Sequence, residues 1–244
     1  MNASLVVNEI FLSIQGESSY AGLPCVFIRL TGCDLRCSYC DTTYAFSEGS
    51  RMTIDEICDT VLRYSVRFNN IKAKPKLPIV EVTGGEPLLQ KDTPILLQKM
   101  CDAGFTVLLE TSGAHDISVT PPDVIRIMDI KCPASGESNK NRWENIDYLK
   151  PKDEVKFVIS TREDYEFAKE IIKKYSLCEK CLVLFSLAEP LPEKLKHPSL
   201  KTPPAGHHPI TKQELAEAII SDGLPVRFQI QLHKIIWGSE TRGV

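Results

Sequence analysis

The chain has 244 residues, 43% of them hydrophobic and 25% charged, with a formal net charge of −3. That composition supports one sizeable α/β core and lacks the basic excess of a nucleic-acid binder. No apolar run reaches the length of a membrane span, and the opening MNASLVVNEIF has no charged segment followed by a long apolar one, so a cytoplasmic protein is expected.

In chain order, CVFIRL (25–30) reads as a buried strand and is followed by the loop GCDLRCSYCD (32–41). A helix is expected over 52–68, with Thr53 as N-cap and Ile54, Ile57, Val61 and Leu62 on one stripe. A strand at 79–83, a helix at 93–103 and strands at 105–111, 124–130 and 155–160 follow. REDYEFAKEIIKKY (162–175) reads as a helix, 181–187 as a strand, 211–223 as a helix with a Thr cap and a Gly stop, and 226–233 as a closing strand. The alternation argues for one domain over 1–244 with a parallel sheet, open or curled toward a barrel. Two stretches, 132–145 and the Pro-rich 189–209, read as long loops of the kind that often carry function.

Nine cysteines is a high count for a reducing compartment, where clustered thiols serve metals or chemistry rather than disulfides. Cys33, Cys37 and Cys40 fall within eight residues, on a loop at the C-terminal end of a strand, where α/β folds gather their chemistry. A structural zinc site takes four ligands, as does an ordinary iron–sulfur cluster. Three suggest a cubane with one iron left for another ligand, or a zinc site that borrows a distant residue such as Cys178 or Cys181.

The Cys-x3-Cys-x2-Cys spacing, with Tyr39 before the last cysteine, resembles the radical S-adenosylmethionine superfamily. TGGEP (83–87), one βα unit later, resembles its segment for the methionine amino group. NEIFLSIQGES (8–18), FIRLTGCDLRCSYCDTTYAF (27–46) and QLHKIIWG (231–238) narrow the resemblance to the 7-carboxy-7-deazaguanine synthase family, over the whole chain. It implies a modified, partial (β/α)6-type barrel, usually a homodimer, with a [4Fe–4S] cluster, S-adenosylmethionine and Mg²⁺. It also implies conversion of 6-carboxy-5,6,7,8-tetrahydropterin to 7-carboxy-7-deazaguanine with loss of ammonia, in a radical lyase reaction begun by hydrogen abstraction. A flavodoxin- or ferredoxin-type protein would supply the electron, and neither nucleic acid nor membrane takes part.

By the same resemblance, Cys33, Cys37 and Cys40 hold the cluster, and Thr42 meets Mg²⁺. Tyr39, Cys40, Asp41, Gly85, Glu86, Ser112, Lys131 and Ser186 contact S-adenosylmethionine, while Ile14, Gln15, Gly16, Glu17, Arg29, Thr83 and His233 contact the pterin. Asp129 stands where some members carry a serine, which leaves its role open. Plainer readings stand beside these: a turn at 14–17, an internal ion pair at Arg29, a cap at Thr42, a core histidine at 233, packing at Cys178 and Cys181. Two other functions remain in view, a glycyl-radical activase, which shares the cysteine spacing, and a zinc-stabilised binding module.

Overall fold

A computed structural model describes residues 3–193, 196–238 and 240–244, so positions 1, 2, 194, 195 and 239 of the expected domain and loop lie outside the described residues. The chain begins with a long strand, β1 (Ser4–Ile14), antiparallel to β2 (Pro24–Leu30). The short β3 (Ser50–Thr53) pairs with the outer side of β1. From β2 onward the ladder is parallel through β4 (Ile79–Gly84), β5 (Val107–Thr111), β6 (Ile125–Asp129), β7 (Glu154–Ile159), β8 (Leu182–Leu187) and β9 (Arg227–Gln229). The sheet order is β3-β1-β2-β4-β5-β6-β7-β8-β9, and its two edges are not hydrogen-bonded to each other.

Helices α1 (Ile54–Ser65), α3 (Arg162–Tyr175) and α5 (Lys212–Ser221) each open on a capping box, set by Thr53 with Glu56, Thr161 with Asp164, and Thr211 with Glu214. Each box satisfies two amide donors that a helix start otherwise leaves free. Helix α2 (Thr93–Asp102), the one-turn α4 (Leu177–Lys180) and α6 (Leu232–Trp237) complete the set among the described residues.

Four expectations change. The helix expected from 52 begins at Ile54, because Ser50–Thr53 is spent on pairing with β1. Its inward stripe is Ile54, Ile57, Val61 and Ser65, whereas Leu62 is 47% exposed. The closing strand stops at Gln229; the Leu232 amide donates to Gly16 O (3.0 Å) and the chain turns into α6. Finally, β5–β6 and β6–β7 are joined without α-helices. The 132–145 stretch is three 3₁₀ turns, at Pro133–Ser135, Ser138–Lys140 and Trp143–Tyr148, rather than loose loop.

Alternation along the strands sorts the residues into two faces. On the convex face Val26, Ile28, Leu30, Val80, Val82 and Leu109 pack with Ile57 and Val61 of α1 and Leu96, Leu97 and Met100 of α2. Val155, Phe157, Ile159 and Phe185 do the same with Tyr165, Ala168 and Ile172 of α3 and Leu215 of α5. Each such side chain, fully buried, stabilises the fold by about 1.5–3 kcal/mol. On the concave face an apolar plug of Cys25, Phe27, Ile79, Leu108, Ile125 and Ile127 fills one end. Farther along the same strands that face turns polar, with Arg29, Thr83, Glu110, Asp129, Lys156 and Ser186 all lining a cavity. The segment after β1 crosses to the far edge of the sheet, where the Gln229 side chain accepts from Ser18 N (3.0 Å) and donates to Ser18 O (2.7 Å).

Candidate active site

The cavity, about 370 Å³, opens at the C-terminal ends of the parallel strands, above the apolar plug. It gathers nearly every residue singled out in the sequence: Ile14, Gln15, Gly16, Glu17, Arg29, Cys33, Cys37, Tyr39, Cys40, Asp41, Thr42, Thr83, Gly85, Ser112, Lys131, Ser186 and His233. Glu86 is the exception.

The cysteine loop leaves β2 at Gly32, whose φ of +100° favours glycine. Its backbone is held from outside: Ser38 N donates to Ser135 O (3.0 Å), and Ser38 Oγ to Ala134 O (2.7 Å). Burial pushes the Cys33 thiol up to about 11 and Cys40 to about 12, and raises Cys37 as well. Thiolates here therefore call for a cationic partner, as a metal centre provides. Among the described residues no group of three or more His, Cys, Asp or Glu side chains is arranged to hold a metal ion, and this holds for the three cysteines as for any zinc site.

The TGGEP turn abuts this loop. A Cβ on Gly85 would stand 2.3 Å from Gly32 O and 2.8 Å from Cys33 Cβ, and one on Gly84 would stand 2.2 Å from Leu30 O. The glycines let the turn pack directly against the end of β2 and the start of the cysteine loop, where any side chain would collide with the backbone of Leu30 or Gly32, and both glycines line the cavity. Glu86 lies behind that wall, fully buried. Its carboxylate accepts from Leu88 N (2.8 Å), Ser112 N (2.7 Å) and Thr111 Oγ1 (2.9 Å). Glu86 thereby ties the ends of β4 and β5 together.

Directly after the last cysteine of the loop, Asp41 Oδ2 meets Lys234 Nζ at 2.5 Å, and its Oδ1 accepts from Thr42 Oγ1 at 2.8 Å. Burial alone would raise this carboxyl, but Lys234, with help from Thr42 and Arg29, holds it down at about 2. Lys131 Nζ pairs with Asp129 Oδ2 at 2.5 Å, and burial, which opposes its charge, is outweighed by that carboxylate. The Tyr39 hydroxyl, on a residue that lines the cavity, is buried without a hydrogen-bond partner.

Arg29 donates from Nε to Glu9 Oε1 (2.8 Å), and its guanidinium lies 5.9 Å from the ring centres of both Phe11 and Tyr44. The internal ion pair therefore exists, at a residue that also faces the cavity. Gln15 donates from Nε2 to Glu81 Oε2, and Glu17 accepts from Ser186 Oγ (3.1 Å) and Lys156 Nζ (3.1 Å). Ser186 thus sits beside the IQGE segment. His233 packs its ring where Gly16 lacks a side chain, since a Cβ there would lie 2.3 Å from Nδ1. Burial lowers the His233 pKa despite nearby Glu17 and Asp41, which favours the neutral imidazole.

Sequence reasoning missed Glu9, Glu81, Glu110 and Lys156. Lys156 is the hub: its ammonium pairs with Glu110 Oε1, with Glu17 Oε2 at 3.1 Å and with Asp129 Oδ1 at 3.5 Å. Burial, and then Glu110, push the Glu81 carboxyl well above its ordinary range. The available signal was a charged residue inside each of three strands that are otherwise mostly apolar, Glu81, Glu110 and Lys156, always on the concave face.

The model of the Radical SAM superfamily matches residues 27–176. The chain is 43% identical to the 7-carboxy-7-deazaguanine synthase of Koribacter versatilis over 240 residues, covering 98% of this chain and 99% of that protein. It is 43% identical to the protein of the same name from Chlorobaculum tepidum over 245 residues, covering 99% and 98%. The crystal structure of QueE from Escherichia coli superposes with a TM-score of 0.68 over 94% of this chain and 95% of that one, and at 18% identity this likeness concerns the fold.

Proposed function

The chain belongs to the radical SAM superfamily and, within it, to the 7-carboxy-7-deazaguanine synthases, and from that premise we propose that it converts 6-carboxy-5,6,7,8-tetrahydropterin to 7-carboxy-7-deazaguanine and ammonia. The observation that carries this reading is the meeting of two motif sets in the lining of one cavity: the three cysteines with Thr83, Gly84 and Gly85 of the glycine turn, and Gln15, Glu17, Arg29 and His233.

In this reading Cys33, Cys37 and Cys40 would hold three irons of a [4Fe–4S] cluster, leaving the fourth to the amino and carboxylate groups of S-adenosylmethionine. Cluster and cofactor together supply a carbon-centred radical that removes one hydrogen atom from the substrate. The chain's own part is binding and orientation. The backbone at Gly84–Gly85, which lines the cavity, would border the cofactor, and Lys131 offers a buried cation to its carboxylate or ribose oxygens. Tyr39, Asp41, Ser112 and Ser186 lie within the same cavity and complete the proposed cofactor wall.

For the substrate, Arg29 is fixed at Nε by Glu9 and presents its charge to the carboxylate. Glu17 and Gln15 accept from ring N–H groups, Thr83 and Ile14 border the ring, and the neutral His233 offers one donor and one acceptor. Thr42 is the proposed Mg²⁺ contact, completed by water and substrate oxygens, as suits a hard cation. A cytoplasmic homodimer reduced by a flavodoxin or ferredoxin completes the proposal. Among the described residues no helix is long and apolar enough to cross a membrane.

Anaerobic incubation with S-adenosylmethionine, reductant and the carboxy-tetrahydropterin tests it, with the deazaguanine and ammonia as readouts. Cofactor cleavage without change in the pterin would favour another radical reaction, such as activase chemistry. Stoichiometric zinc in place of iron would sink the cluster assignment.

A further inference from the structure

The expected loops 132–145 and 189–209 meet on the outside of the cysteine loop, around a carboxylate the mechanism above does not use. The Glu137 side chain is 3% exposed. Its Oε1 accepts from Arg36 N at 2.7 Å and its Oε2 from Lys201 Nζ at 2.7 Å. Lys201 in turn donates from its own amide to Arg36 O (2.9 Å) and from Nζ to Gly136 O (2.8 Å). Both polar backbone groups of Arg36, the residue directly before Cys37, are thereby taken by these two loops.

The packing is close enough to fix the arrangement. Gly136 has φ +74°, and a Cβ there would stand 2.9 Å from both Cβ and Cδ of Lys201, so any side chain would push residue 201 away. Arg36 adds its own ties, from Nη1 to Cys33 O and Leu35 O (2.7 Å each), with its guanidinium 4.1 Å from the centre of the Phe46 ring. A charge-assisted bond to a backbone amide is stronger and more directional than the water contact an open loop would accept.

We propose that Glu137 and Lys201 form a charged latch: a positioning pair that clamps the backbone between Cys33 and Cys37 and sets the electrostatic balance at the cluster those cysteines hold. The inference rests on the cluster assignment made above. The two charges act with opposite sign. A carboxylate beside the cluster opposes addition of an electron, and an ammonium favours it.

The test uses the iron-loaded, anaerobically reconstituted protein, its Glu137→Gln variant and its Lys201→Gln variant. The cluster midpoint potential is titrated without S-adenosylmethionine, and iron loss to a chelator is timed. Glu137→Gln should shift the potential to more positive values and Lys201→Gln to more negative values, with several-fold faster iron loss in both. Loosening or wetting of the loop would move both potentials the same way. Shifts of equal sign, or unchanged potentials in variants that hold iron, overturn the latch. Lys201 is 44% exposed, so if Glu137→Gln does not fold, Lys201→Gln decides alone: a potential that is unchanged or more positive refutes the proposal. A wild-type protein that takes up no iron–sulfur cluster refutes the underlying cluster reading instead.

Discussion

Replacing Lys156 with Met tests whether the polar concave layer holds together as described. The Lys156 side chain is 6% exposed and its ammonium neutralises Glu110, Glu17 at 3.1 Å and Asp129 at 3.5 Å. At the effective dielectric of about 20 that suits such sites, each contact is worth about 5 kcal/mol before desolvation. Removing the cation forfeits these attractions, recovers its own desolvation cost, and leaves the carboxylates facing one another. The net loss expected for breaking a buried ion pair is about 3–5 kcal/mol. For a chain of this size that corresponds to a fall in Tm of about 6–20 °C. The assay is urea unfolding of the iron-free proteins under reducing conditions, so that ligand binding contributes nothing to the difference. Lys99→Met is the control: Lys99 is 46% exposed and paired with an exposed Asp55, so its loss should stay below about 1 kcal/mol. Adding Glu110→Gln to Lys156→Met should restore about 1–3 kcal/mol, because one of the stranded charges is then gone. A Lys156→Met protein no less stable than the control, or a double variant without recovery, would refute the account of the layer.

Glu81 should make stability depend on pH. Its carboxyl is raised in the folded state, so between its ordinary value of 4.5 and the folded value the native chain keeps a proton that the unfolded chain releases. Stability should fall as pH rises through that window, by at most about 1.4 kcal/mol per pH unit. Glu81→Gln should flatten that slope on the side above the ordinary carboxylate value in urea unfolding, and an unaltered slope would exclude a raised Glu81 carboxyl. Gly16→Ala forces His233 to move, since the new methyl would stand 2.3 Å from Nδ1. Pterin affinity should drop about tenfold, within the 1–3 kcal/mol typical of overpacking, while iron content stays at the wild-type level. Cys33→Ala, Cys37→Ala and Cys40→Ala should each abolish the brown chromophore, and a variant that keeps a full [4Fe–4S] spectrum would remove that cysteine from the ligand set. Arg29→Lys keeps a charge but loses the planar donor that meets Glu9, and should lower substrate affinity about ten- to a hundredfold at unchanged cofactor affinity. Equal affinities in calorimetry would leave Arg29 with only its ion pair.

The parallel strands were legible because strands covered on both faces read as short apolar runs, as CVFIRL and CLVLFSL do. Helix α3 was legible to the residue because Thr161 and Asp164 announce its start. The errors fall where a tertiary contact overrides a local pattern. VRFQIQLH alternates like a strand, yet it leaves the sheet after Gln229, because Gly16 O takes the Leu232 amide and the next residues coil. Ser50–Thr53 has no strand signal of its own and is ordered by pairing with β1.

The same division governs the site. Cys33, Cys37, Cys40 and the TGGEP turn were readable because their geometry is local: a few residues of one loop supply it. Glu81, Glu110 and Lys156 were not, because their meeting depends on register, with Asp129 opposite Lys156 and Glu110 opposite Ile127. Alternation places each of them on the concave face, but only the aligned ladder makes them neighbours. Once they are neighbours, the charges constrain one another. Glu17, Glu110 and Asp129 share Lys156, Lys131 reaches Asp129, and Glu81, buried beside Glu110, has its carboxyl pushed well above the ordinary range. The strand register that makes these charges neighbours therefore also decides how three carboxylates divide two lysines, which no local pattern in the sequence could show.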